Sequence, residues 1–268
     1  MPSKFLELTR LHPNIKWIIR FHSDLPFIAT EGMFSIWFFQ YINIKNVWIG
    51  ANSLKMIKSV QHFVPKEKLL YLPNFYPIDN FNETSKLKNF NRQFINIGCF
   101  GAIRILKNQF LQAVGAIEFA DSLGLSLNFH MNMTRIEDAN NAVEKNIRHL
   151  FKNHKRHNLI PHMWMEHDRF LSVLENIDIG LQVSFAETFN IVAADCVNRN
   201  VPTIVSNEIY WADDKFKVHP TDYDVLLEKM KFIWDNKNED FIFLDNKTSL
   251  QKYCDNVIPI WKEELSKM

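Results

Sequence analysis

Apolar residues in this chain follow two spacings that alternate. Short runs with unbroken or every-second apolar positions give way to stretches where apolar residues recur three and four apart. The first spacing is that of a strand, the second that of a helix. Residues 15–20, 47–50 and 69–72 predict strands, with a helix over 52–62. Residues 94–99, 125–131, 177–183 and 202–205 predict further strands, with helices over 107–123, 138–154, 167–176 and 189–198. In the first of these helices Phe110, Val114, Ile117 and Ala120 stay in register. Strands alternating with helices imply parallel sheets, so the fold class is α/β. Ligands in such sheets sit at the carboxyl ends of the strands.

Residues 73–93 interrupt the pattern. They hold Pro73 and Pro77 among many Asn, Lys and Ser residues and lack apolar periodicity. This reading gives a first domain over 1–76, a linker over 77–93 and a second domain over 94–245. Residues 246–268 predict a last helix, with Leu250, Tyr253, Val257, Trp261 and Leu265 at helical spacing. Its apolar face must dock, and it is expected to pack back across the domain junction. Pro259 lies inside it and should kink it.

Composition narrows the partners. Apolar residues make up 47 % of the 268 residues, enough for a buried core, and the net charge of +1 points to neither nucleic acid nor an anionic surface. Cys99, Cys196 and Cys254 are far apart and offer no disulfide framework. No apolar signal core follows the first residue, and a reducing cytoplasm is the simplest setting. The most apolar stretch, 33–39, is shorter than the ~20 residues that cross a bilayer. It reads as a buried helix, with peripheral membrane contact as the alternative. The histidines at 149, 154, 157, 162 and 167 lack the repeated spacing of a zinc site and read as a solvated basic face, so no metal is expected.

The chemistry concentrates in 184–206. A strand ends near Val183, a tight loop carries Glu187 and Thr188, and a helix is expected to open near Phe189 and Asn190. The first N–H groups of a helix have no partner within it and form an anion site. Asp195 lies eight residues beyond Glu187, so on one helix both carboxylates face one cleft. A second motif runs from Ile97 through Gly98, Gly101, Arg104 and Lys107. Its glycines permit close backbone approach, and its cations suit a diphosphate. A third follows the first predicted strand, where His22 stands at a carboxyl end with Arg20 and Asp24 beside it. Asn132 and Arg135 follow another strand, and the loop 161–165 holds Met163 and Trp164.

These motifs resemble those of retaining glycosyltransferases of family 4, which have the GT-B fold. Glu187, Phe189 and Ile191 match the E-x-F-G core and its sequel, while Asn190 stands where Gly is usual and Asp195 where the second Glu is usual. The run 200–206 matches the G-x-P-V-V-x-S tail, with Asn200 for Gly. Lys107 matches the G-R-x-x-x-x-K segment in its spacing from Gly101, Ala102 takes the place of the Arg, and Arg104 is shifted. Tyr71, Leu72, Pro73 and Asn74 resemble the hinge "PNG" segment without its Gly.

The resemblance implies two Rossmann-like domains with parallel sheets facing a cleft, the N-terminal one an incomplete acceptor-side domain. It implies that Glu187 and His22 contact a donor sugar and that Asp195 takes the ribose. Gly101, Arg104, Lys107, Thr188, Phe189 and Asn190 would line the diphosphate, Asn132 and Arg135 the donor pocket, and the base would lie near the loop 161–165 with Met163. Trp164 reads either as a stacking platform or as a core residue. The implied reaction moves a sugar from a nucleoside-diphosphate sugar to an acceptor hydroxyl with retention and without a metal or other cofactor. The readings from other classes are a non-catalytic nucleotide-sugar-binding or assembly subunit and a GT-B-fold sugar epimerase.

Overall fold

The structure is a computed structural model that describes residues 2–78, 93–137 and 139–268. Most of the expected linker, and Asp138 at the expected start of a helix, lie outside the described residues. The chain divides into two compact units. One comprises Met1–Tyr76, Ala186–Phe189 and Lys252–Met268; the other comprises Pro77–Phe185 and Asn190–Gln251.

The first unit contains α1 (Pro2–Leu11), β1 (Trp17–Phe21), α2 (Leu25–Ile28), α3 (Phe34–Ile42), β2 (Val47–Ala51), α4 (Leu54–Val60) and β3 (Leu69–Tyr71). Its sheet is parallel in the order β1-β2-β3, with Ile19 beside Ile49 and Ile49 beside Leu69. Ile49, Ala51, Met56, Val60 and Phe38 form its core. Ser53 caps α4 by accepting from the Met56 N–H at 3.0 Å, and its hydroxyl donates to Asp24 at 2.8 Å. The expected buried helix at 33–39 is half exposed instead. Phe38 is buried, whereas Ile36, Trp37 and Phe39 reach solvent.

The second unit contains β4 (Phe94–Gly98), α5 (Gln109–Ser122), β5 (Ser126–Asn132), α6 (Ala142–Asn153), β6 (Asn158–His162), α7 (His167–Leu174), β7 (Ile179–Gln182), α8 (Ile191–Asn198), β8 (Thr203–Ser206), β9 (Lys217–Val218) and α9 (Tyr223–Asp235). The sheet is parallel throughout, in the order β6-β5-β4-β7-β8-β9. The chain winds outward from β4 to β6, then returns to β7 on the other side of β4. That reversal opens a crevice at the carboxyl ends of β4 and β7, where doubly wound sheets bind ligands. Ile95, Ile97, Leu127, Phe129, Leu181 and Ile204 fill the core. An amide ladder ties three strands on one face: Asn158 donates to Asn128 at 3.1 Å, and Asn128 to Asn96 at 3.0 Å.

The last helix, α10 (Phe241–Ser266), begins earlier than its periodicity suggests and runs through Pro259. Its first part buries Ile242 and Leu250, and from Lys252 it belongs to the first unit. There Trp261 donates to the Pro73 carbonyl at 2.8 Å and Tyr253 to that of Asn74 at 3.0 Å.

Sharp turns are made mostly without glycine. Every non-glycine described residue with positive φ is an asparagine: Asn108, Asn140, Asn141, Asn190 and Asn200. Asparagine tolerates the left-handed region better than other side chains because its amide bonds locally. The chain has only 7 glycines. The missing glycines of the family pattern at 190 and 200 are therefore answered by the one common alternative.

Candidate functional site

At the β4–β7 crevice lies a cavity of about 420 Å³, lined by Gly101, Asn132, Trp164, Met165, Glu166, His167, Phe170, Ile191, Val192 and Asp195. Four sequence-chosen positions thus meet in the second unit: Gly101, Asn132, Trp164 and Asp195. Gly101 has φ +112°, and a side chain there would meet nothing within 4 Å, so conformation rather than crowding selects glycine. Its N–H donates to Asn132 Oδ1 at 2.9 Å, which fixes the turn after β4 to the end of β5. Asp195 sits within α8 with its side chain 3 % exposed. Its Oδ1 lies 3.0 Å from His167 Nε2 at the first residue of α7.

The loop after β6 is fastened by the Trp164 N–H, which donates to Thr134 Oγ1 at 2.8 Å. The Trp164 ring is half exposed and carries the Arg135 guanidinium 4.7 Å from its centroid, so this tryptophan is not a core residue. Arg135 also bonds Glu137 at 2.5 Å, and Arg104 pairs with the same carboxylate. Partial burial raises the Glu137 pKa, but the bonds from Arg135 and Arg104 outweigh it and hold the net value below the usual range. Lys107 closes a short 3-10 turn, Ile105–Lys107. Burial pushes the Cys99 thiol up to about 12, with the Lys107 charge pulling the other way. The Leu106 carbonyl accepts from the Phe185 N–H at 2.8 Å, which ties this turn to the segment after β7.

No protein-family model matches the chain, and no curated protein matches it. Solved structures do. A TarM variant of S. aureus, in complex with fondaparinux, alpha-GlcNAc-glycerol and UDP, superimposes with a TM-score of 0.72 at 14 % identity, covering 98 % of this chain and 53 % of its own. Sucrose-phosphate synthase of Thermosynechococcus elongatus gives 0.69 at 13 % identity, covering 98 % of this chain and 69 % of its own. Anabaena HepE in complex with UDP gives 0.69 at 13 % identity, covering 94 % and 72 %. The chain has the GT-B fold. It spans about half the length of TarM.

Within this GT-B chain the motif at 184–206 is organised differently from the sequence expectation. Helix α8 begins at Ile191 rather than Phe189. Asn190 caps it with φ +58°, its side-chain oxygen accepting from the Ala193 N–H at 2.9 Å. Glu187 precedes the helix, so the two-turn spacing with Asp195 does not exist. Glu187, Thr188 and Phe189 belong to the first unit. Thr188 donates to the His22 carbonyl at 2.9 Å and accepts from Asn52 at 2.9 Å. Phe189 is a packing residue, with Tyr253 5.3 Å and Tyr76 6.0 Å from its ring centre. Glu187 is buried.

Near His22, Arg20 is built into the first unit. It donates to the Leu72 carbonyl at 2.8 Å and to Asn74 at 2.5 Å, and it lies against Trp261. Arg20 also sits 3.0 Å from His22 Nδ1. Burial, then the Arg20 charge, lowers the His22 pKa. Asp24 is buried and accepts from Ser53. Arg20 and Asp24 thus have structural partners.

Met163 lies outside the cavity lining. Its side chain is exposed, and its carbonyl accepts from Asn132 at 3.4 Å. The histidine-rich stretch is not one solvated face. His157 is buried and its Nδ1 accepts from the Leu127 N–H at 3.1 Å, while His162 stacks on His130. Among the described residues no group of three or more His, Cys, Asp or Glu converges as a metal site. Sequence reasoning missed His167 as a site residue. The only signal was its place at a predicted helix start, which spacing to Asp195 in a linear sequence could not turn into a contact.

Proposed function

We propose that this chain binds a nucleoside-diphosphate sugar and transfers the sugar to an acceptor hydroxyl, with retention of configuration and without a metal ion. The observation that carries this reading is the cavity at the topological switch of the second unit, with Asp195 buried in its wall and the open Gly101 turn beside it. Asp195 takes the ribose hydroxyls as acceptor. Gly101 lets the diphosphate approach backbone, with Lys107 and the start of α8 offsetting the charge that grows on it as the sugar–oxygen bond breaks. Arg104 pairs with Glu137 beside this turn, and Lys107 is its second cation. Asn132 and the backbone around Met163 contact the base. Glu187 and His22 hold the sugar, and the leaving phosphate accepts the acceptor's proton. TarM and HepE, both solved with UDP, share the fold, which supports a nucleotide donor.

The test is thermal stabilisation by UDP, GDP and ADP, followed by transfer assays with the matching nucleotide sugars. A ligand at a hundred times its dissociation constant should add roughly 2.7 kcal/mol. Lys107→Ala should abolish that gain, and Glu187→Ala should remove transfer while leaving nucleotide binding. Binding without transfer to any carbohydrate acceptor would favour a non-catalytic binding subunit. If no nucleotide shifts the melting temperature, the donor site is refuted.

A further inference from the structure

The geometry points to His167 as a positioning residue that orients Asp195 for recognition of the ribose diol, an inference that rests on the donor-site reading above. Asp195 stands where the family pattern has a glutamate, so its carboxylate ends one methylene nearer the α8 backbone. A buried carboxylate needs hydrogen-bonding partners. His167 Nε2 lies 3.0 Å from Asp195 Oδ1 and reaches it from a different helix. The two side chains differ sharply in setting: 59 % of the His167 side chain is exposed against 3 % of Asp195. The imidazole is therefore not held by close packing. What fixes it is the bond itself, in which the Nε2–H donates to the carboxylate.

Both residues line the same cavity. The bond from His167 acts on the direction of the Asp195 carboxylate, and two neighbouring hydroxyls of a ribose ask for an acceptor held in a fixed direction. Charge-assisted bonds of this kind are the short, directional ones. The short side chain and the added histidine act together: the donor from α7 sets the carboxylate plane that a longer side chain would otherwise have to reach.

The experiment compares the tightest of UDP, GDP and ADP with its 2′-deoxy counterpart by calorimetry, on the wild type, His167→Ala and His167→Gln. In the wild type the 2′-deoxy compound should bind about tenfold more weakly, the usual scale for losing a bond to a charged group. His167→Ala should weaken the ribonucleotide by a similar factor and leave the 2′-deoxy compound within about twofold, so the discrimination collapses. His167→Gln, whose amide nitrogen can occupy the same place, should restore most of it. A purely structural role would weaken both ligands alike. If His167→Ala keeps the wild-type discrimination ratio, the positioning role is wrong while the donor site stands. If the wild type binds no nucleotide at all, the donor-site reading fails first and this inference with it.

Discussion

Residues 186–189 lie in the chain between α7 and α8, yet the polar groups of this segment and of the wall formed by the two helices are buried for opposite reasons. In 186–189 each described bond is internal to the first unit. Thr188 is held between His22 and Asn52, and Phe189 packs between two tyrosines. In the α7–α8 wall, Asp195 is buried but borders an open cavity, and its partner His167 has a largely exposed side chain. A motif that reads as one continuous ligand grip is therefore divided. Its first part is anchored through Thr188 and Phe189, and its second part borders the cavity.

The sharpest way to break this contrast is Phe189→Ala. The ring is fully buried, and truncation of a buried aromatic costs about 3–5 kcal/mol. The loss should appear in urea denaturation with or without nucleotide. Trp164→Ala, on the half-exposed ring by the cavity, should leave stability within about 0.5 kcal/mol. Equal losses for the two would erase the distinction between anchor and wall.

Asn190 sits where the two parts meet, and Asn190→Ala comes next in size. Alanine keeps neither the cap to Ala193 nor the bond to Gln182 at 3.0 Å, and it pays more for positive φ. The expected loss is about 2–3 kcal/mol. Asn190→Gly, which accepts the backbone angle, should recover roughly 1 kcal/mol of it. A null result for Asn190→Ala in denaturation would mean that the αL cap does not define the helix start.

How much of this was legible in the sequence follows from what each signal depends on. The strands showed because apolar runs in a parallel sheet are buried on both faces, as at Ile95–Ile97 and Leu181. The α1 helix, α9 and β9 went unread, and β6 was taken in part for a loop because Pro161 interrupts it. Proline is tolerated there since β6 is the edge strand. In the site, Gly101, Asn132 and Asp195 were legible through motif spacing. The role of Phe189 was not, because the helix start moved to Ile191 under the control of one asparagine's backbone angle. His167 was invisible because its contact joins two helices that no local pattern relates.

The second unit also offers a pH test of smaller effect. His130 and His162 stack, with Nδ1 and Nε2 3.0 Å apart. Burial, then the His162 charge, lowers the His130 pKa from 6.5 to about 4, and burial, then Arg169, lowers that of His162. The unfolded chain thus takes up the proton first. The stabilisation is complete above pH 6.5 and is lost as the pH falls toward 4. At pH 5 the loss from His130 should be about 2 kcal/mol. His130→Asn should reduce this slope and leave the part that His162 contributes. A slope unchanged in His130→Asn would assign the acid sensitivity elsewhere.

The smallest effect belongs to Asn200→Gly, and it separates backbone from side chain most cleanly. Asn200 has φ +53° after α8, its N–H donates to the Val197 carbonyl at 3.1 Å, and the family pattern would have glycine there. Glycine relieves the left-handed cost in the folded state but adds freedom to the unfolded chain. The two terms oppose each other, so the change should stay within about 0.5 kcal/mol. Asn200→Ala has no such compensation and should cost about 1 kcal/mol. A near-zero glycine effect beside a clear alanine loss would mean that asparagine serves here as a glycine substitute, required for its backbone angle. Equal losses would instead assign the position to the side-chain bond from Lys247, which reaches Asn200 Oδ1 at 3.4 Å.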